Sequence, residues 1–404
     1  MDDQEEIVIT GIGVITSIGS TLDETWDKLL AGISGARTIR TFDVSGHQHQ
    51  IGCEVEDFEH LSLIGRPGGR ATGLLLPVVE DALYNARLID REWDDRIAGI
   101  SVGTTMGEIS PYEDAMLGRG ISARGGPSVL ADHAGEWFSL NGPSWTITNA
   151  CAAGNMAIAR AVEELRLGRA DVMIAAGVDA MSWIAFTGFA SLRAMAPDVC
   201  RPFDLERKGL LLGEGAAALI LERKRDAVAR GVKPRAIISG YGLSADAHHI
   251  TQPDPKAAGS IKAMRKALAM AKLDPEQIGY VSAHGTGTPA NDRMECVAMA
   301  EVFGEEIRTS SIKGHIGHTL GAASAIEAAV CVKALETGIL PPTLHLRTKD
   351  PSCAVAVIAN EPVSVNVDHM MSNAYAFGGI NTSIILSRIG SVPLGSVQER
   401  GTFV

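Results

Sequence analysis

The sequence predicts an α/β chain arranged as two similar halves, and three observations carry that prediction. Short apolar β-type runs alternate with segments whose apolar residues recur every three or four positions, as in a sheet flanked by helices. The pattern restarts near Lys233, where residues 235–242 repeat the style of the opening strand and its glycine turn. A content of 46% hydrophobic residues with 44 glycines and only 5% aromatics fits a tightly packed α/β chain rather than a disordered one. At 404 residues the chain is long for one simple core, so we divide it into 1–233 and 234–404.

Taken in order, Ile7-Val8-Ile9-Thr10 followed by Gly11-Ile12-Gly13 is a buried strand ending in a glycine turn. The run G-I-G-V-I-T-S-I-G lacks the G-x-G-x-x-G spacing and the acidic residue of a dinucleotide site, so it is read as structure only. Thr21 or Ser20 caps a helix over 22–30. A Pro/Gly loop at 65–69 leads into a helix over 71–86, and 97–104 is a second strand. Thr146-Ile147-Thr148 is a short β run, after which Met156, Ile158, Ala159, Val162 and Leu165 mark a buried helix face. Residues 171–179 supply the next strand in β-α-β order, and 216–222 another. In the second half, 261–271 is helical and 278–283 is a strand ending at His284. A long Ala-rich helix spans 322–337, and strands 371–374 and 382–387 are joined by the turn Phe377-Gly378-Gly379.

A net charge of −12 argues against nucleic acid or an anionic membrane as general partners, while leaving room for a local basic patch. The six cysteines have no C-x-x-C pairing and no framework spacing, which predicts a reducing cytoplasm. The acidic opening predicts no secretory segment, and no apolar run has membrane-spanning length.

The chemistry gathers at Asn149-Ala150-Cys151-Ala152-Ala153-Gly154, where a strand hands over to a helix. Unpaired N–H groups and the macrodipole at a helix N-terminus favour an anion, so the Cys151 thiol is expected to fall from roughly 8.5 toward 7 or lower. Small neighbours leave room for a substrate carbonyl. Alone, this residue reads more readily as a buried structural cysteine. Two histidine motifs tip the balance. His284-Gly285-Thr286-Gly287-Thr288, followed by Asn291, Asp292 and Glu295, lies at a strand's C-terminal edge, where open α/β sheets place their chemistry. The segment around Lys313-Gly314-His315-Ile316-Gly317-His318 precedes a helix. His315 and His318 stand three apart, but no further cysteine or carboxylate cluster completes a metal site, so no metal is assigned. In Asn373-Ala374-Tyr375-Ala376-Phe377-Gly378-Gly379-Ile380-Asn381, a glycine turn between strands can aim backbone N–H groups at an oxyanion.

The order Cys151, His284 in H-G-T-G-T, His318 in K-x-x-x-G-H-x-x-G-A-A, then F-G-G-x-N, resembles the elongating, Cys-His-His class of β-ketoacyl-acyl-carrier-protein synthases. The resemblance runs from Ile7 to about Ser387 and takes in Arg201-Pro202-Phe203-Asp204-x-x-Arg207-x-Gly209 and Gly213-Glu214-Gly215-Ala216. It implies a thiolase-like five-layer αβαβα fold, a dimer, and no cofactor, the substrates riding on the phosphopantetheine of an acyl carrier protein. By similarity Cys151 carries the acyl chain, and the Cys151 and Phe377 N–H groups form the oxyanion hole. His284 and His318 bind the malonyl thioester oxygen during decarboxylation, Lys313 and Glu327 pair to organise His318, and Phe377 gates the acyl pocket.

Departures from the family pattern are Asn149 for threonine, Ala153-Gly154-Asn155 for a Ser/Thr run, and Ala376 and Ile380 for glycine and threonine in G-F-G-G-T-N. None removes a catalytic group. A short 107–142 segment leaves chain length open and favours a specialised polyketide or polyene pathway, with a homodimer or a chain-length-factor-like partner. An acidic carrier needs a local positive surface, for which Arg66, Arg70, Arg201, Arg207 and Lys208 are the candidates. The competing readings are a non-catalytic chain-length-factor-type subunit, against which Cys151 argues, and a histidine-based metal hydrolase.

Overall fold

The computed structural model describes residues 5–56, 68–88, 93, 95–120 and 124–391. The first part of the Pro/Gly loop, with Arg66, lies outside them. In chain order the principal elements are β1 (Ile7–Thr16), α1 (Leu22–Leu30), α2 (Arg70–Asn85), β2 (Ala98–Gly103), α3 (Ser128–Trp137), β3 (Ser144–Ile147), α4 (Ala153–Arg166), β4 (Val172–Asp179), α5 (Trp183–Ser191) and β5 (Gly215–Arg223). The second half contributes β6 (Ala236–Ala245), α6 (Ala258–Ala271), β7 (Ile278–Ser282), α7 (Pro289–Phe303), β8 (Arg308–Ser310), α8 (Ala323–Thr337), β9 (Ala356–Val357), β10 (His369–Ala376) and β11 (Ile380–Ser387). Thr21 is the cap of α1, its hydroxyl accepting from the Glu24 N–H. The glycine turns expected after the opening strand and its counterpart are not turns: β1 runs on through Gly11 and Gly13 to Thr16, and β6 through Gly240 and Gly242 to Ala245. These glycines let a helix lie against the sheet, since a Cβ on Gly11 or Gly13 would come within 2.0 Å of the Ala82 or Val78 carbonyl oxygen of α2.

The eleven strands run β9-β8-β7-β10-β11-β6-β1-β5-β4-β2-β3. From β1 outward the pairings are antiparallel, antiparallel, parallel, parallel. From β6 outward the same succession recurs, with one more parallel strand at the end. Within the sheet the halves are joined by two residue pairs of β1 and β6, Val8 with Ile237 and Ile9 with Ala236.

Strands apolar on both faces must be covered on both. Along β4, Met173 and Ala175 face one core while Val172, Ile174, Ala176 and Val178 face another. The second of these cores is closed by α2 and α3. The first contains α4 and α8 together with residues of both sheet halves, and the outer face of the second half is closed by α6 and α7. The layers are therefore αβαβα. Twelve of the fifteen α8 residues are buried, so this helix shows no polar face to read.

The central helices are held close by glycines. A Cβ on Gly154 would lie 2.7 Å from Ser324 Oγ and 2.8 Å from the Ala325 nitrogen, and one on Gly103 would lie 2.4 Å from the Ala153 carbonyl. Each central helix is entered through a left-handed residue and a 3₁₀ turn: Ala150 (φ 47°) before α4 and Leu320 (φ 52°) before α8. Such backbone conformations are unfavourable for residues with a Cβ and persist only where the surroundings over-determine them.

Gly103→Ala is expected to destabilise the chain by about 1–3 kcal/mol by overpacking against the α4 entrance. Gly135→Ala, with nothing within 4 Å of its added Cβ, should be neutral or stabilising by up to about 1 kcal/mol. Thermal unfolding of both variants checks this; equal shifts would contradict the packing account.

Candidate active site

The two elbows put Cys151 and His318 at the ends of α4 and α8. Cys151 lies within the 3₁₀ turn Ala150–Ala152, and His318 stands two residues before Leu320. The His318 backbone is fixed on both sides: its N–H donates to Leu211 O (2.7 Å) and its carbonyl accepts from Gly213 N (3.0 Å). The result is a contact of 3.0 Å between Cys151 Sγ and His318 Nε2. His284, just beyond β7, brings its ring centroid to 5.2 Å from that of His318 at 81°. All three side chains are buried, yet they line one cavity of about 360 Å³ that also includes Phe189, Thr286, Thr288, Tyr375 and Phe377.

The loop carrying His284 is shaped by carboxylates below it. Glu295 of α7 accepts hydrogen bonds from the His284 and Gly285 N–H groups, both at 2.8 Å. Asp292 accepts from Gly287 N (3.2 Å) and Phe203 N (2.9 Å). Burial pushes the Glu295 carboxyl up to about 8 despite these donors. Lys313 Nζ meets Glu327 Oε1 inside the protein, both side chains nearly inaccessible. Burial raises Glu327 to about 7, and Lys313 pulls it back down.

Phe377 occupies the three-residue turn between β10 and β11. Gly378 and Gly379 follow it at φ 87° and 75°, a backbone open to glycine without strain. The turn is tied to a second loop, with Gly378 N donating to Ile250 O (2.7 Å) and Asn381 Nδ2 donating to Asp246 Oδ1 (2.7 Å). Its ring stacks on Phe189 at 5.8 Å, beside the cavity.

Family models for the β-ketoacyl synthase N-terminal and C-terminal domains match residues 4–227 and 235–347. The chain belongs to the β-ketoacyl synthase family. It is 38% identical to nodulation protein E of Rhizobium leguminosarum bv. trifolii, over 95% of this chain and 99% of that one. It is 35% identical to 3-oxoacyl-[acyl-carrier-protein] synthase 2 of Coxiella burnetii, over 96% and 99%. Among solved structures, the ishigamide ketosynthase/chain length factor superposes with a TM-score of 0.90 at 36% identity, covering 96% of this chain and all of that one. A type II PKS ketosynthase in complex with its acyl-carrier protein gives 0.87 at 27%, covering 96% and 100%. The thiolase-like fold expected of this family is thus the one observed.

Two sequence expectations need correction. The Cys151 thiol is not lowered: burial pushes it up to about 12, outweighing the pull of Lys313 and of its own backbone N–H. Both imidazoles are held well below their usual value, by burial first and then by Lys313. A synthase resting state of neutral thiol against neutral imidazole follows. The second correction concerns carrier docking. Arg70 chelates Glu214, with Nε to Oε2 at 2.8 Å, and Arg207 is 2% exposed, bonded to Asp350 Oδ2 (2.7 Å) and the Asp204 carbonyl (2.7 Å). These arginines hold the fold. Arg201 is mostly covered and paired with Asp198 at 2.6 Å, Arg66 lies outside the described residues, and Lys208 is exposed at the cavity rim beside Arg193. His315, left without a role by the sequence, is fully buried and is not part of the cluster that His318 joins.

One functional carboxylate escaped the sequence reading. Asp179, at the end of β4, accepts from Thr104 Oγ1 (2.9 Å), Thr105 N (2.7 Å), Met106 N (2.8 Å) and Gly321 N (2.6 Å). It clamps the end of β2 to the elbow before α8, and burial raises it to about 6. A lone acid closing the apolar run D-V-M-I-A-A-G-V-D was the available signal. Of the departures in the nucleophile motif, Asn155 has a visible role: buried, it donates from Nδ2 to Thr382 Oγ1 (3.2 Å), joining α4 to β11.

With the thiol raised to about 12, the thiolate fraction grows about tenfold per pH unit through neutrality. The rate of Cys151 alkylation by iodoacetamide should therefore keep climbing from pH 7 to 9; a plateau near neutrality would contradict the raised thiol.

Proposed function

We propose that this chain is a β-ketoacyl-acyl-carrier-protein synthase that extends an acyl chain held on Cys151 by two carbons through decarboxylative condensation with malonyl-carrier protein. The observation that carries this reading is the convergence of Cys151 Sγ, His318 Nε2 at 3.0 Å and the His284 ring on one cavity. The Cys151 thiol attacks a carrier-bound acyl thioester, the sulfur–carbonyl bond forms, and the pantetheine thiol leaves with the proton. Backbone N–H groups of Cys151 and Phe377 receive the oxyanion of that step. His318, touching the sulfur, is placed to take the thiol proton as attack proceeds, which answers the raised thiol.

Malonyl-carrier protein then enters, and His284 and His318 donate to its thioester oxygen. Neutral imidazoles suit this role: each offers one N–H, and the enolate charge that they stabilise develops only along the reaction path. Carbon dioxide leaves, the enolate carbon attacks the acyl-Cys151 carbonyl, and the thiolate is regenerated as the β-ketoacyl product departs. The Lys313–Glu327 pair organises His318. Phe377, stacked on Phe189 at the cavity, gates the acyl chain. The reading asks for no cofactor beyond the carrier's phosphopantetheine arm.

The nucleophile half is 1–233 and the histidine half 234–404, a division supported by the two-residue junction of β1 and β6. The chain works in the cytoplasm, in keeping with six free cysteines and with no described helix long and apolar enough to cross a membrane. It acts as a homodimer or with a chain-length-factor-like subunit, such as the one named with the ishigamide ketosynthase. A purely structural partner subunit has no use for a cysteine set between two histidines.

Incubation with acyl-carrier protein should yield, by intact mass, an adduct equal to the acyl group on the wild-type chain and none on Cys151→Ala; an adduct on the variant, or none on either, sinks the assignment. Charge reversal of Lys208 and Arg193 together should raise KM several-fold for carrier-bound substrates and leave small thioester substrates unaffected. Unchanged carrier kinetics would remove this rim as the docking surface.

A further inference from the structure

We infer that the same three side chains form a capture site for a thiophilic divalent cation, zinc above all, and that occupation of this site reversibly blocks the enzyme. The sulfur of Cys151 and one ring nitrogen each of His284 and His318 lie within 4.8 Å of one another. A tetrahedral zinc ion with a bond of about 2.3 Å to sulfur and about 2.0 Å to nitrogen sets its ligands roughly 3.5 Å apart. The 3.0 Å separation of Sγ and His318 Nε2 needs only a small opening, and a His284 nitrogen lies within 4.8 Å of both atoms. One sulfur and two imidazoles are a set that zinc accepts and that magnesium and calcium, which want oxygen, do not. The cavity supplies the route in and leaves the fourth position to water.

Binding is balanced without an oxidant: the S–H bond breaks, an Sγ–Zn bond forms, and the proton passes to solvent. The adjacent Lys313 is paired with Glu327, which offsets part of its repulsion of an incoming cation. The Nδ1 atoms of His284 and His318 have no hydrogen-bond partner among the described residues. Zinc-bound histidines are normally steadied by such a partner, so the hold here is reversible and yields to a chelator. An acylated sulfur has no thiolate to offer, so acyl chain and metal compete for Cys151. The chelate rests on the geometry; the claim that it inhibits rests on the function proposed above.

The test is zinc titration of metal-free, full-length protein, read by bound-metal stoichiometry and by iodoacetamide labelling of Cys151. One equivalent should bind, labelling should stop, and a chelator should restore it. Cys151→Ala should abolish the binding and His284→Ala should weaken it more than about tenfold. Wild-type protein pre-acylated on Cys151 serves where a variant fails to fold, and it should take up no zinc. Zinc uptake that survives pre-acylation, or labelling unchanged under saturating zinc, overturns the inference. Metal-free protein that forms the acyl adduct but ignores zinc overturns this inference alone, whereas protein that binds zinc through Cys151 yet never acylates upholds the chelate and overturns the functional reading.

Discussion

The site depends on how closely two buried helices can lie. Because Gly154 carries no Cβ, the start of α4 meets Ser324 and Ala325 at the start of α8. The elbows at Ala150 and Leu320 are thereby brought side by side, and with them one sulfur and one imidazole that are 167 residues apart in the chain. Asp179 locks this arrangement by accepting from the end of β2 and from Gly321 at once. The left-handed residues persist because packing on every side leaves the chain no alternative path. The second imidazole reaches the same cavity from β7, its loop held down by Glu295.

The same burial sets the electrostatics. In a dry pocket a charge is expensive unless it is paired, and three outcomes follow. The thiol rests protonated, the imidazoles rest neutral, and Lys313 is paired with Glu327. A synthase built this way holds little charge until substrate supplies it. Preorganised donors then act on the enolate and oxyanion with little solvent between them. Readiness for a passing carbonyl and susceptibility to a passing zinc ion come from one geometry, since both require neutral imidazoles facing a cysteine.

Much of this was legible in the residues. The apolar runs of β1, β4 and β5 announced strands, and the Ala-rich run of α8 announced a helix. The order of Cys151, His284, Lys313 and His318 marked the family before any contact was known. Less legible was Asp179, whose four donors come from two separate segments of the chain. Arg70 and Arg207 read as surface cations, but their carboxylate partners stand 144 and 143 positions away.

The sequence by itself determined which segments become strands and helices and which side chains bear the chemistry, because apolar periodicity and motif spacing are local properties. Only the tertiary structure decided the protonation of Cys151, the pairing of the arginines and the meeting of sulfur with imidazole. Solvent exclusion and charge pairing depend on what the rest of the chain packs against a residue, and no local stretch carries that information.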